Sequence, residues 1–301
     1  MSRSITYNKC PVCGSVDIAK VLQAKDYTVS REIFFIWHCS NCTARFTQNA
    51  PPPNEIGKYY QSSEYVSHSE TKSGFINKAY HTVRNITLQT KKKLVIKTSG
   101  KQTASLLDLG AGTGAFASVM QQAGWQVTAL EPDATARENA LKHHGMQLHE
   151  MEILMQLQPK EFDVITLWHV LEHVHLLHEY VEQLYTVLKD DGCLIVAVPN
   201  YTSYDATLYK EYWAAYDVPR HLYHFSPLSV QQLMQQHGFA IVQHKPQWFD
   251  SFYVSMLSEK YKTGSGNLLR AVWNGVMSNL KAISDYKKCS SVIYVMKKNA
   301  G

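Results

Sequence analysis

From residue 104 onward the apolar and polar positions follow two alternating rhythms. Short, nearly continuous apolar runs occur at Ser105–Leu109, Gln126–Glu131, Phe162–Trp168 and Cys193–Val198. Runs of this length with no polar alternate face read as strands buried on both sides. Between them lie segments with helical spacing, Ala115–Ala123, Ala134–His144 and Leu176–Leu188, and a shorter strand near Met146–Glu150. Strand and helix in strict alternation predict a doubly wound α/β fold, a parallel sheet with helices on both faces. Farther on, a helix over Ser229–His237 stops at Gly238, Ala240–Gln243 begins a strand, and Ser291–Met296 forms the terminal strand. Residues 252–285 read mostly as helix, interrupted by Thr263-Gly-Ser-Gly266.

The first hundred residues do not share this rhythm. Ile33–Trp37 is a good strand, Pro51-Pro52-Pro53 breaks regular structure, and residues 54–100 are polar and Tyr-rich (Tyr59, Tyr60, Tyr65, Tyr80), reading as helices. The expected division is a small module over 1–50, a helical linker or lid over 51–103, and a main domain over 104–301 carrying a helical insertion at 252–285.

Composition narrows the class. A chain of 301 residues that is 45% hydrophobic and 11% aromatic can bury a substantial core. The N-terminal residues lack the apolar run of a signal peptide and no stretch is long enough to span a bilayer, so a cytoplasmic protein is expected, with no membrane partner. The net charge of +5 is scattered apart from Lys91-Lys92-Lys93, which reads as a solvated helix face. Nucleic acid is a permitted partner without being indicated.

Four of the six cysteines form two pairs, Cys10-Pro-Val-Cys13 and Cys39-Ser-Asn-Cys42. A two-residue gap lets both thiolates of a pair face one ion, and two pairs supply the four sulfurs of a tetrahedral structural zinc. A zinc-ribbon-like module with Cys10, Cys13, Cys39 and Cys42 as ligands is expected. A redox pair, disulfides, or His38 in place of one cysteine are the alternatives. Cys193 and Cys289 lie in or beside apolar strands and read as packing residues.

The densest chemistry is Leu106-Leu-Asp-Leu-Gly-Ala-Gly-Thr-Gly-Ala-Phe116. Gly110, Gly112 and Gly114 make a loop of almost bare backbone at a helix N-terminus, suited to close approach of a nucleotide-type cofactor. Gly110-x-Gly112-x-x-Ala115 also satisfies a dinucleotide fingerprint, with Glu131 downstream for a ribose. A pyrophosphate at that helix end would be opposed by Asp108, two residues before the first glycine. A cationic ligand end fits that carboxylate better, and the ammonium of S-adenosylmethionine is such an end.

Asp108-x-Gly110-x-Gly112-x-Gly114 resembles the first motif of class I S-adenosylmethionine-dependent methyltransferases. The resemblance implies a Rossmann-like sheet of seven strands with the last antiparallel, and a ribose-binding acid at Glu131; Glu152 is placed near the adenine. Trp168-His-Val-Leu-Glu-His-Val174 resembles a segment of ubiquinone-biosynthesis-type methyltransferases, in which Trp168 and His169 would back the cofactor. His173 is a candidate base, or a loop-orienting residue. His169-x-x-Glu172-His173 also spells an inverted zinc-protease motif, but it falls on a strand-to-loop junction rather than a helix.

A second cluster, Asp217-Val-Pro-Arg220-His221-Leu-Tyr-His224, follows the fifth strand and is similar to a segment in a broad group of bacterial methyltransferases. Methyl transfer to a hydroxyl needs a base for the departing proton, and histidine suits that near neutral pH. His221 or His224 is the expected base and Arg220 the expected holder of an anionic or carbonyl group; the alternative is that all three fasten the loop to the sheet. Tyr201, Tyr204, Tyr209, Tyr212, Trp213 and Tyr216 suggest an aromatic pocket or lid, or ordinary core. The expected function is methyl transfer to a small molecule such as a sugar or other metabolite, first of all to oxygen, with carbon or nitrogen as the alternatives. A ribosomal-RNA base methyltransferase, a dehydrogenase and a non-catalytic zinc-bearing binding protein are the rivals.

Overall fold

The computed structural model describes residues 4–61 and 75–299. Its centre is a six-stranded sheet of β4 (Ser105–Leu109), β5 (Gln126–Leu130), β6 (Phe162–Trp168), β7 (Leu188–Pro199), β9 (Phe239–Pro246) and β10 (Ser291–Lys298). Their order is β5-β4-β6-β7-β10-β9. β4 to β7 pair in parallel, and β10 runs antiparallel to both β7 and β9.

Period-two alternation explains why these runs carry almost no polar residues. Leu106, Val164 and Ile195 face one side of the sheet, against Leu94 and Val95 of α1 (Phe75–Ser99) and Phe116 and Met120 of α2 (Ala115–Gln122). Leu107, Ile165, Leu194 and Val196 face the other, against Val181 and Leu184 of α4 (Leu177–Val187) and Val230 and Leu233 of α6 (Pro227–Gln236). Both faces are therefore covered, as the continuous apolar runs require.

Six strands stand where seven were expected. The segment near Met146–Glu150 is reduced to a parallel bridge between Leu130 and His149. Met146 and Leu148 instead bury their side chains against Ala117 and Ala140, the latter on α3 (Ala134–His144). At Glu150 the chain turns into a short 3-10 helix.

The N-terminal residues form a second sheet from β1 (Ile18–Lys25), β2 (Ile33–Cys39) and β3 (Arg45–Gln48). Its fourth strand, β8 (Tyr223–His224), comes from the far end of the chain and pairs with β3 through Arg45–His224 and Phe46–Tyr223. Val12 and Phe46 join the same core as Leu107 and Val230. Tyr65, expected in a helix, lies outside the described residues. The segment 200–216 folds into α5 (Tyr204–Tyr209) and short 3-10 turns that bury Tyr201, Tyr209, Trp213 and Tyr216 in a second apolar cluster with Phe34 and Ile36. These aromatics are core rather than lid. The expected helical insertion is a hairpin of α7 (Asp250–Thr263) and α8 (Leu268–Ser284) between β9 and β10.

Candidate functional site

The glycine loop leaves the C-terminal end of β4, where ligands of parallel sheets bind. Gly110, Gly112 and Gly114 all have positive φ, from 57° to 74°. Two of them are also enforced by packing. A Cβ on Gly110 would lie 2.4 Å from Val170 Cγ2, and one on Gly114 would lie 2.9 Å from Ala140 Cβ. Around Gly112 there is open space, so its bare backbone faces a cradle rather than the core.

Asp108 sits beneath this loop, fully buried. One carboxylate oxygen accepts a 2.7 Å hydrogen bond from Thr166 Oγ1, while Oδ2 is buried without any partner. Burial pushes its pKa up to about 7, against the opposing pull of Thr166 and Lys91. A buried carboxylate oxygen with no donor is a strong preference for a cation or N–H group. Glu131 follows β5, where its carboxylate accepts from the Gly112 N–H at 2.7 Å and the Asp133 N–H at 3.0 Å. The loop and the acid are thus locked together, with lone pairs left on both oxygens.

Trp168 ends β6 edge-on to Phe116, and the Lys91 ammonium stands 4.3 Å from its ring centroid. Lys91 is no member of a solvated face. It is half-buried, its pKa lowered to about 8 by burial against the attraction of Asp108 and Asp250. Glu152 is exposed on the 3-10 turn after His149.

His169 departs from its expected role. Its ring is clamped between two carboxylates, Nε2 to Asp250 at 2.9 Å and Nδ1 to Glu172 at 3.4 Å. Burial alone would lower its pKa, but Asp250 and Glu172 outweigh that and raise it to about 10. It is a charged strut that joins the β6 loop to the helical hairpin.

Beyond it, Glu172, His173 and His221 converge. A carboxylate oxygen and one ring nitrogen from each histidine lie within 4.8 Å of one another. Both carboxylate oxygens of Glu172 are buried, and the charged His169 ring faces Oε1 at 3.4 Å. His221 Nδ1 is 2.8 Å from the Ala215 carbonyl and His173 Nδ1 is 3.0 Å from the Arg220 carbonyl. A carbonyl only accepts, so these contacts assign the proton to each Nδ1 and leave a lone pair on each Nε2; the Tyr60 hydroxyl also stands 3.0 Å from His173 Nδ1. Burial and the neighbouring His221 lower His173 to about 4, keeping it neutral. The Nε2 lone pairs and the Glu172 carboxylate can take a hydroxyl proton, and the same set can hold a cation.

The structure separates the other two residues of the second cluster from this role. Arg220 is fully buried, giving two hydrogen bonds to Asp217, one to Asp26 and one to the Tyr59 carbonyl. Its guanidinium is committed inside the protein rather than free for a substrate group, and it fastens the loop to the turn after β1. His224 lies buried on β8, 3.1 Å from Thr47 Oγ1, which itself donates to the His221 carbonyl at 2.7 Å. Its pKa is driven well below the usual range by burial, and it packs edge-on to Tyr216. It is a packing residue of the β3–β8 seam and not a solvent-reachable base.

All six cysteines are free, and in the N-terminal module Cys10, Cys13, Cys39 and Cys42 bring their sulfurs within 4.8 Å of one another. Cys10–Cys42 is 3.5 Å and Cys13–Cys39 is 3.6 Å. Sulfurs around a tetrahedral zinc lie roughly 3.8 Å apart at ordinary bond lengths. Main-chain N–H groups of Val12 and Ala44 also point at the Cys10 and Cys42 sulfurs, each at 3.4 Å, as thiolates favour. His38 stands outside the set.

Glu172, Asp217, Asp250 and Lys91 were missed as site residues by sequence reasoning. Glu172 and Asp217 were visible within the two quoted motifs. Asp250 carried no local signal, because only the return of the helical hairpin brings it to His169.

Among known proteins, a family model described as "Methyltransferase domain" matches residues 82–244. The chain is 31% identical over 118 residues to a ubiquinone biosynthesis O-methyltransferase of Glaesserella parasuis, covering 36% of this chain and 50% of that protein. It is 32% identical over 113 residues to the mitochondrial ubiquinone biosynthesis O-methyltransferase of Schizosaccharomyces pombe, covering 35% and 40%. It thus spans about half the length, or less, of these curated relatives. In fold it is similar to the PH0226 protein of Pyrococcus horikoshii, with a TM-score of 0.50 at 14% identity, covering 79% of this chain and 100% of that one. With the match covering more than half of its length, the chain belongs to the methyltransferase domain family, with the fold of the class I, S-adenosylmethionine-dependent enzymes.

Proposed function

We propose that this enzyme methylates a hydroxyl group of a small molecule, with the Glu172–His173–His221 cluster receiving the hydroxyl proton. When bound, S-adenosylmethionine supplies an electrophilic methyl on a sulfonium. Asp108 Oδ2 would accept the ammonium of its methionine end, Glu131 the ribose hydroxyls, and the open space over Gly112 the passage between them. Trp168 would wall the pocket, and Glu152, exposed on its turn, would reach the adenine from the rim.

The observation that carries the acceptor chemistry is the convergence of a buried carboxylate with the rings of two histidines. A substrate hydroxyl donates to this set and is thereby oriented with a lone pair free for attack. His221 is the preferred base: its Nδ1–H is fixed on the Ala215 carbonyl, so Nε2 takes the proton, and Glu172 stabilises the imidazolium that results. His173, tethered by its Nδ1, would orient the same hydroxyl. Cys10, Cys13, Cys39 and Cys42 are proposed to hold a structural zinc with no open position for substrate.

The relatives' names, ubiquinone biosynthesis O-methyltransferase, agree with oxygen as the acceptor atom. The experiment is a screen of phenols, sugars and other hydroxylated metabolites with labelled cofactor, followed by His221→Asn on any substrate found. Loss of 100- to 10,000-fold in turnover, with cofactor affinity unchanged, is expected for a general base, roughly the usual worth of such a group. A fully active His221→Asn enzyme refutes the assignment.

A further inference from the structure

The helical hairpin between β9 and β10 is built the wrong way round for a water-facing element. The face of α8 turned toward the protein is small and polar: Ala271, Asn274, Gly275, Ser278 and Ala282. Asn274 Nδ2 donates to the Tyr209 hydroxyl at 2.8 Å, and Ser278 Oγ to Asp205 at 2.9 Å. Gly275 lets α7 approach so closely that a Cβ there would lie 2.6 Å from the Phe252 ring. The face of α8 turned to solvent is a continuous stripe of large apolar residues, Leu269, Val272, Trp273, Val276, Leu280 and Ile283.

Their exposure is large, 85% for Leu269, 63% for Trp273 and 72% for Ile283. Spacings of three and four residues place them on one side of the helix. Beside the stripe, Trp248 and Phe252 of the neighbouring segment form with Val276, Asn279, Leu280 and Ile283 an open groove of about 370 Å³. A patch of this extent marks a surface that is covered in use.

Charge identifies what covers it. Lys262, Arg270, Lys281, Lys287 and Lys288 are exposed on the same hairpin and the turn after it. The acids of the hairpin are turned away: Asp250 pairs with His169 and Glu259 is buried with Tyr209. Asp285 caps the turn that follows α8. A second copy meeting this face about a two-fold axis would bring like-charged rims together, which opposes association. An anionic lipid surface complements the same rim and accepts Trp, Leu and Ile at headgroup depth. Among the described residues no helix is long and apolar enough to cross a membrane, so the mode is lying on the surface rather than spanning it.

We infer that α8 docks this enzyme on anionic phospholipid bilayers, with Leu269, Trp273 and Ile283 inserted and Arg270 and Lys281 against the headgroups. This surface is independent of the acceptor assignment above. The test is flotation of the full chain with vesicles of 70% phosphatidylcholine and 30% phosphatidylglycerol, and with pure phosphatidylcholine, followed also by Trp fluorescence. Wild type should float with the anionic vesicles, at least tenfold better than with neutral ones, and release in 0.5 M salt. Leu269→Glu/Trp273→Glu and, separately, Arg270→Glu/Lys281→Glu should each lose at least tenfold in vesicle binding while keeping wild-type cofactor affinity, which reports an intact fold. Three results overturn the inference. One is absence of binding to anionic vesicles; another is binding that both double variants retain. The third is a wild-type dimer by light scattering that Leu269→Glu/Trp273→Glu converts to a monomer, with no vesicle binding, which assigns the face to a second copy.

Discussion

Replacing Asp108 by Asn tests the cofactor site at its most distinctive atom. The exchange keeps the shape and an oxygen for Thr166, but removes the charge and puts an amide where Oδ2 has no partner. A hydrogen bond to a charged group contributes roughly 1.5–3 kcal/mol, and each 1.36 kcal/mol is tenfold, so affinity for S-adenosylmethionine should fall about 10- to 150-fold. The pH dependence is a sharper signature. With its pKa raised to about 7, only about one Asp108 in eleven is ionised at pH 6 in the free enzyme. Wild-type affinity should therefore weaken about tenfold for each pH unit below 7, and the Asn variant should lose this slope.

Stability moves the other way. A carboxylate whose pKa is raised by folding weakens the fold as pH climbs from about 4 toward 7. The neutral Asn relieves that, so the variant should melt no lower than wild type at pH 7.5. The assay is calorimetric titration from pH 5.5 to 7, where Lys91, lowered to about 8, keeps most of its charge. Methylthioadenosine, which lacks the amino-acid end, should bind both proteins alike. Equal affinity and equal slope for S-adenosylmethionine in the two proteins would refute the placement of an ammonium at Asp108.

Gly110→Ala should destabilise the protein by about 2 kcal/mol or more in denaturant titrations, because the new methyl meets Val170 at 2.4 Å and the backbone has a φ of 63°. Gly112→Ala, with open space around it, should cost about 1 kcal/mol of stability and show its main effect as weakened cofactor binding. At the opposite end of β6, Asp163 accepts from Lys101 at 2.6 Å and Lys189 at 2.9 Å, and these bonds outweigh burial to hold its carboxyl well below the usual range. Such a group stabilises above its unfolded pKa of about 3.9 and loses that contribution as pH falls. Asp163→Asn should therefore cost roughly 1.5–3 kcal/mol at pH 7, with the difference from wild type closing below pH 4 in parallel thermal melts. Chelation of zinc, or Cys39→Ser, should loosen β3 and with it β8, raising hydrogen exchange over residues 215–226 while S-adenosylmethionine still binds. Unchanged exchange there would refute the coupling.

Much of the main domain was legible because its signals are local. Continuous apolar runs follow from burial on both faces, and Leu106 and Leu107 need no knowledge of their partners to read as strand. The glycine loop, Asp108 and the two cysteine pairs are equally local, since each packs its chemistry into a few consecutive residues. The strand near Met146–Glu150 failed on the same ground: its apolar pattern serves helix contacts, and pattern alone does not distinguish the two uses. Lys91 looked like one solvated lysine of three until the helix placed it over Trp168.

The proposed acceptor site was legible only in part: His173 and His221 stood in the two motifs, but their meeting with Glu172 joins distant segments. Arg220 and His224 look like catalytic residues in a list of types. Only the fold shows that Asp26 and Thr47, 194 and 177 positions away, consume them. His169 becomes a charged strut only when Asp250 returns beside it. The sequence by itself determined the sheet, the glycine loop and the cysteine pairs, because burial periodicity, glycine conformation and cysteine spacing are properties of neighbouring residues. The tertiary structure alone decided which titratable groups stay available for chemistry, because a side chain's protonation and reach depend on which remote donors and carboxylates the fold brings within hydrogen-bonding distance.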